Sequence, residues 1–174
     1  MQYIKNAVGV APLYDSDTLP LVDHYLGNVD EKPETLNLMI QLVGAYFGET
    51  VRRNLGGRWD GGTGEHEEWR IVLPTGLSFS PTGVVAAAIA KSELDDFDSE
   101  LDAPPRMKPF VQAALARMGE VPIDEYFSLC NRLDTLEHVH EVLVAHAAQM
   151  LGDAAHADDD GVEPVADEPS GPIN

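Results

Sequence analysis

Between Pro33 and Leu55 apolar residues return every three or four positions. Leu36, Ile40, Val43, Phe47 and Val51 form one stripe, while Gln41, Glu49, Arg52 and Arg53 lie away from it. This period predicts a long amphipathic helix with one buried face. Pro33 suits its first turn and Glu34 the positive end of its dipole. Gly56-Gly57 ends it with a residue able to take positive φ. Upstream, "TLPLVDHYLG" predicts a shorter helix, with Thr18 as N-cap and Gly27 as its stop.

After Gly57 the period changes. In "EWRIVLP", Trp69, Ile71 and Leu73 alternate with Glu68, Arg70 and Val72, which is the strand period with one face buried. A short "RW" extension precedes the glycine-rich turn "DGGTGEHEE". Thr75-Gly76 reads as a turn, and "LSFS" as a further short strand. Ser80-Pro81 then supplies an N-cap and first helical residue for "PTGVVAAAIAKS". The segment "ELDDFDSELDAPP" reads as an exposed acidic loop. Helices are expected at Pro109–Met118, stopped by Gly119, and at Pro122–Arg132. Asp134 and Glu137 form a capping box that starts a separate helix over Thr135–Leu151.

These elements predict an α+β fold, with several helices packed on a small antiparallel sheet of two to three strands. At 174 residues the chain fits one domain, 1–151, with room for a core. From Gly152 to Asn174 the composition turns to Asp, Ala, Pro and Gly, so an acidic, disordered tail is expected. No apolar run approaches the length of a membrane helix. The N-terminus has no basic region followed by a long apolar core, and a signal peptide is not expected. Cys130 is the single cysteine, so no intrachain disulfide is possible and a cytoplasmic setting fits.

Charge changes the picture most. Thirty acids face 11 bases, a net of -19. Such a field repels nucleic acid and anionic lipid and favours a protein partner with a basic surface. Against that background, Arg52, Arg53, Arg58 and Arg70 stand close in sequence. They are candidates for one positive patch suited to a carboxylate or phosphate. The competing reading pairs them with nearby acids, among them Glu49, Glu65, Glu67 and Glu68. Leu94, Phe97 and Leu101, spaced three and four apart among acids, are candidates for an amphipathic turn that docks on a basic groove.

Other constellations fall short of chemistry. Gly44 and Gly48 stack on one side of the helix. Gly56-Gly57 follow a helix and precede a strand, the reverse of a dinucleotide fingerprint, so that motif is not formed. Close approach of another backbone or a ring, Trp59 or Trp69, is the expected role of Gly44 and Gly48. Glu137-x-x-His140 has the spacing of di-metal bundles, but no second such pair exists. The alternating acids from Asp96 lack the glycine and glutamate of a calcium loop. Cys130 lies on an apolar helical face and reads as a small hydrophobe. No cofactor and no metal are expected.

The run "GAYFGETVRRNLGGRW" followed by "EWRIVLPTGLSFSPTGVV" resembles a group of uncharacterised bacterial domains. They share a Gly-x-x-x-Gly-Glu helix, a glycine-tryptophan turn, a strand and a proline-led helix. The matching residues are Gly44, Gly48, Glu49, Gly57, Trp59, Leu73 and Pro81, within Leu36 to Lys91. The resemblance implies a small α+β fold and no activity, and it directs attention to Glu49. The expected function is a non-catalytic, acidic protein-binding or regulatory module. One alternative is an immunity or antitoxin-like protein that neutralises a basic toxin. Another is a sensor or enzyme for an anionic small molecule using the four arginines.

Overall fold

A computed structural model describes residues 2–9, 11, 13–29, 32–61, 64 and 66–159. The helices are α1 (Gln2–Val8), α2 (Leu19–Leu26), α3 (Pro33–Leu55), α4 (Pro81–Ala90), α5 (Lys108–Arg117), α6 (Ile123–Tyr126) and α7 (Leu129–Asp159). Three short strands, β1 (Arg58–Asp60), β2 (Arg70–Val72) and β3 (Ser78–Phe79), form an antiparallel sheet in that order. The fold is α+β, with helices packed on a small three-stranded sheet.

α3 takes the span its periodicity predicts, and Ile40, Val43, Phe47 and Val51 are buried. Leu36 is half-buried at the edge of the core. Gly56 ends the helix at φ 70, in the left-handed region. α4 is the central helix. Its residues from Pro81 to Ala88 are all buried, as expected where a helix is apolar on every side. Ser80 caps it as the sequence predicts, its Oγ accepting from Gly83 N–H at 3.2 Å. α3 packs most extensively on α4, and α7 packs on α2, α3, α4 and α5.

Strand register places Trp59 opposite Ile71, and Ile71 opposite Phe79. These three share the inner face, where Phe79 meets Phe47 of α3 edge to face, with centroids 5.9 Å apart. Arg58, Asp60 and Arg70 share the opposite face.

The structure departs from the sequence reading in several places. Leu94–Leu101 belongs to a segment that is exposed throughout its first part and alternates between exposed and covered residues from Phe97 onward. Ser78 N–H donates to Asp102 O and Asp102 N–H to Ser78 O, both at 2.8 Å, so the segment adds a rung beside β3. Ser99 and Ala103 are buried. α1 was not foreseen. Its seven residues are too few to be stable alone, and burial of Ile4 anchors it against α2 and α3. Thr18 stands at the predicted start of α2, but its hydroxyl donates to Asp15 instead of capping the helix.

The largest correction concerns α6 and α7. The helix expected over Pro122–Arg132 breaks after Tyr126, and no break occurs at Asp134. Leu129, Leu133, Leu136, Val139 and Leu143 are all buried and form one continuous stripe. The helix expected over Pro122–Arg132 would have held Phe127 and Cys130 together. Phe127 instead belongs to the turn before α7, and Cys130 lies on the flank of the stripe. Asp134 is exposed in mid-helix and caps nothing. The backbone of α7 also runs beyond Leu151 to Asp159, through an alanine-rich segment that readily extends an existing helix. The rest of the expected acidic tail, 160–174, lies outside the described residues.

Candidate functional site

Glu49 is the hub of the first cluster. Its Oε2 accepts from Arg52 Nε at 2.8 Å and from the Trp59 indole Nε1 at 3.2 Å. Its Oε1 accepts from Arg53 Nε at 2.7 Å and from an Arg52 terminal nitrogen at 2.9 Å. The Arg52 hydrogen bonds, with those of Arg53 and Trp59, hold the carboxyl down at about 2. A carboxylate so saturated stays ionised near neutrality and braces its neighbours.

The geometry explains the glycine spacing. A Cβ at Gly48 would overlap the Trp59 ring, and one at Gly44 would lie 3.1 Å from the Thr82 Cα. The missing side chains therefore let α4 and the indole close on α3, and the ring expected beside Gly48 is that of Trp59. Trp69 meets Trp59 edge to face at 6.1 Å.

The four candidate arginines do not form one open patch. Arg52 and Arg53 converge on Glu49, and the Arg53 guanidinium also lies 4.0 Å above the Tyr14 ring. Arg70 pairs with Asp98 at 2.6 Å, a partner 28 residues away. Arg58 is exposed on β1. Three of the four thus have acid partners. Glu65 lies outside the described residues.

Leu94, Phe97 and Leu101 also separate. Phe97 and Leu101 turn inward and pack on the core, while Leu94 is 37% exposed. Leu94 and Phe97 bridge each other across a tight turn. Behind it, a Cβ on Gly83 would overlap the Asp98 carbonyl, so the loop backbone lies directly on α4. Asp98 Oδ1 accepts from Glu100 N–H at 3.0 Å, fixing the loop locally. Glu93, Asp95, Asp96 and Glu100 are exposed.

On α7, His140 Nδ1 lies 3.1 Å from Thr75 Oγ1, and burial lowers its pKa. Glu137 is shifted up by burial, with Asp134 and Glu141 adding to the effect. Among the described residues no group of three His, Cys, Asp or Glu side chains could hold a metal ion. None of the described helices is long and apolar enough to cross a membrane.

A site the sequence reading missed lies between the acidic loop, the end of α5 and the start of α7. It is a cleft of about 360 Å³ lined by Arg132, Tyr126, Glu93, Glu100 and Leu101. Arg132 is only 8% exposed, and its buried Nε has no hydrogen-bond partner. The guanidinium carbon is 5.5 Å from the Tyr126 ring centroid. Burial pulls the Arg132 pKa below its ordinary value, while Tyr126 and Glu93 favour the charged form. An arginine stays cationic despite this. The signal was present in "CNRLDTLEH". Arg132 falls inside the sector spanned by Leu133, Leu136 and Val139, where an apolar residue is the rule. Dividing the helix at Asp134 hid that stripe.

A second, more apolar groove of about 590 Å³ lies at the far end of α5 and α7, beside Met107 and Met150. There the Phe110 and His146 rings stack with centroids 3.7 Å apart.

No protein-family model, curated protein or solved structure matches the chain.

Proposed function

We propose that this protein is a non-catalytic, acidic binding module that engages a basic protein surface through the loop Glu93–Glu100. The observation carrying this reading is the way the loop is held. Its exposed carboxylates stand on a backbone that is seated on Gly83 and tied to Arg70, and the chain just after it is bridged to Ser78 through Asp102. A loop ordered before binding loses less conformational entropy on association. Its charge also speeds and orients encounter with a basic partner. Leu94 is the apolar contact the loop offers, whereas Phe97 and Leu101 serve its attachment to the core.

The test compares the wild-type chain with a Glu93→Gln/Asp95→Asn/Asp96→Asn variant in affinity purification from the native host. A stoichiometric partner with a basic surface, lost in the variant and weakened by salt, is expected. Retention of that partner by the variant, or the absence of any stoichiometric partner, overturns the reading. Should the partner be a toxin, rescue of growth on co-expression would mark the module as its neutralising protein.

A further inference from the structure

We propose that the Arg132 cleft is a binding site for a small zwitterion, an α-amino acid with an apolar side chain, whose carboxylate pairs with the Arg132 guanidinium. The site stands on Arg132, and it shares Glu93 and Glu100 with the loop proposed to meet a protein partner.

The free protein has a costly group at this position. A buried charge without a close counter-ion is unfavourable, and an apolar side chain of similar length packs the same space without that cost. Arg132 sits in the apolar stripe of α7, where leucines surround it in sequence, and no ion pair is made by its guanidinium among the described residues. A ligand carboxylate would complete it through charge-assisted hydrogen bonds, the geometry for which a guanidinium is suited.

The walls narrow the class. About 360 Å³ lies at the small end of ligand pockets, in the range of an amino acid or a single ring system. Glu93 and Glu100 also line the cleft, and both are exposed. Two acids beside one arginine disfavour phosphates and dicarboxylates, and they supply acceptors for an ammonium group. Leu115, Met118 and Val121 add apolar surface to the same lining. Carboxylate, ammonium and apolar body therefore each have a counterpart.

The internal competitor is Glu93, whose field already reaches Arg132. If Glu93 were the resident counter-ion, no ligand would be needed. Replacing it would then destabilise the free protein.

The test is calorimetric titration of the full chain with L-leucine, L-methionine and L-phenylalanine, followed by amide chemical shifts. Leucinamide, which lacks the carboxylate, and 4-methylpentanoate, which lacks the ammonium, serve as controls. Saturable binding of at least one amino acid is expected, with shifts confined to the loop, the end of α5 with the turn after it, and the start of α7. Leucinamide should not bind, and 4-methylpentanoate should bind at least about tenfold more weakly than leucine. Arg132→Met should abolish binding while keeping or raising the thermal midpoint, and Arg132→Lys should weaken it about tenfold or more.

Absence of saturable binding by all three amino acids at millimolar concentration overturns the proposal. So does binding that survives Arg132→Met. Tighter binding of inorganic phosphate, or equal binding of leucine and 4-methylpentanoate, overturns the zwitterion assignment. A thermal midpoint lowered by Glu93→Gln, with no amino acid bound, assigns Glu93 as the internal counter-ion and removes the site.

Discussion

The carboxylate of Asp23, on α2, caps the first turn of α7 more than 100 residues along the chain. Oδ1 accepts from Leu129 N–H at 2.7 Å and Oδ2 from Cys130 N–H at 3.0 Å. Ser128 Oγ completes the cap by accepting from Asn131 N–H at 3.1 Å. The free amides and the positive end of the α7 dipole thus meet an anion and a hydroxyl.

Asp23→Ala is expected to cost about 1–2 kcal/mol, the range for loss of a helix cap. Urea denaturation measures the change. Amide hydrogen exchange should show Leu129 and Cys130 losing protection before the middle of α7 does. Unchanged protection at those two amides would mean that Ser128 alone starts the helix.

The cap also bears on Cys130. Burial pushes its thiol up to about 12 from an ordinary 9.0, and the neighbouring Asp23 and Asp134 add to the shift. Only the thiolate is a strong nucleophile. Alkylation by iodoacetamide should therefore be slow and show no inflection near pH 9 in the folded protein, while urea restores the ordinary profile. A folded-state inflection at or below pH 9 would contradict the placement of the thiol.

Glu49 makes a pH-dependent contribution. Its folded pKa, about 2, lies below the ordinary 4.5, so ionisation stabilises the fold. The contribution is complete above about pH 4.5 and fades as pH falls through about 2. Glu49→Gln keeps the shape and an acceptor for Trp59 but loses the charge that holds Arg52 and Arg53. It should destabilise the protein by about 1 kcal/mol at neutral pH, since both arginines are partly solvated. The deficit should shrink steadily on acidification below pH 4.5 in paired urea titrations. A deficit that does not change with pH would place the effect in packing against Trp59.

Gly83 is where α4 and the acidic loop touch. Gly83→Ala ordinarily improves helix propensity by about 1 kcal/mol. Here the methyl would overlap the Asp98 carbonyl, which is backbone and cannot rotate away. The variant should lose about 2 kcal/mol net, in the range of overpacked cores. Exchange at Asp102 N–H, which bonds Ser78 O, should accelerate as the loop lifts. A variant as stable as the wild type, with Asp102 still protected, would show that the loop is not seated on α4.

The sequence by itself determined the elements whose signal is local. The stripe of α3, the Ser80 cap, the all-apolar α4 and a close approach at Gly44 and Gly48 follow from side-chain periodicity and from glycines placed where bulk cannot fit. These were legible because a helix or strand repeats its geometry every few residues. Partner choice was not legible. Arg70 had acids beside it in sequence, but folding set it on Asp98. Asp134 carried the local signature of a cap, but Asp23 and Ser128 start α7 earlier. Leu94, Phe97 and Leu101 share a spacing, but only the seat of the loop on α4 decides which of them face the core. Arg132 became a candidate site only when α7 proved continuous and carried it into the cleft. Tertiary structure decided these outcomes because each depends on which distant backbone amide, acid or cavity wall arrives beside the residue, and no periodicity records that.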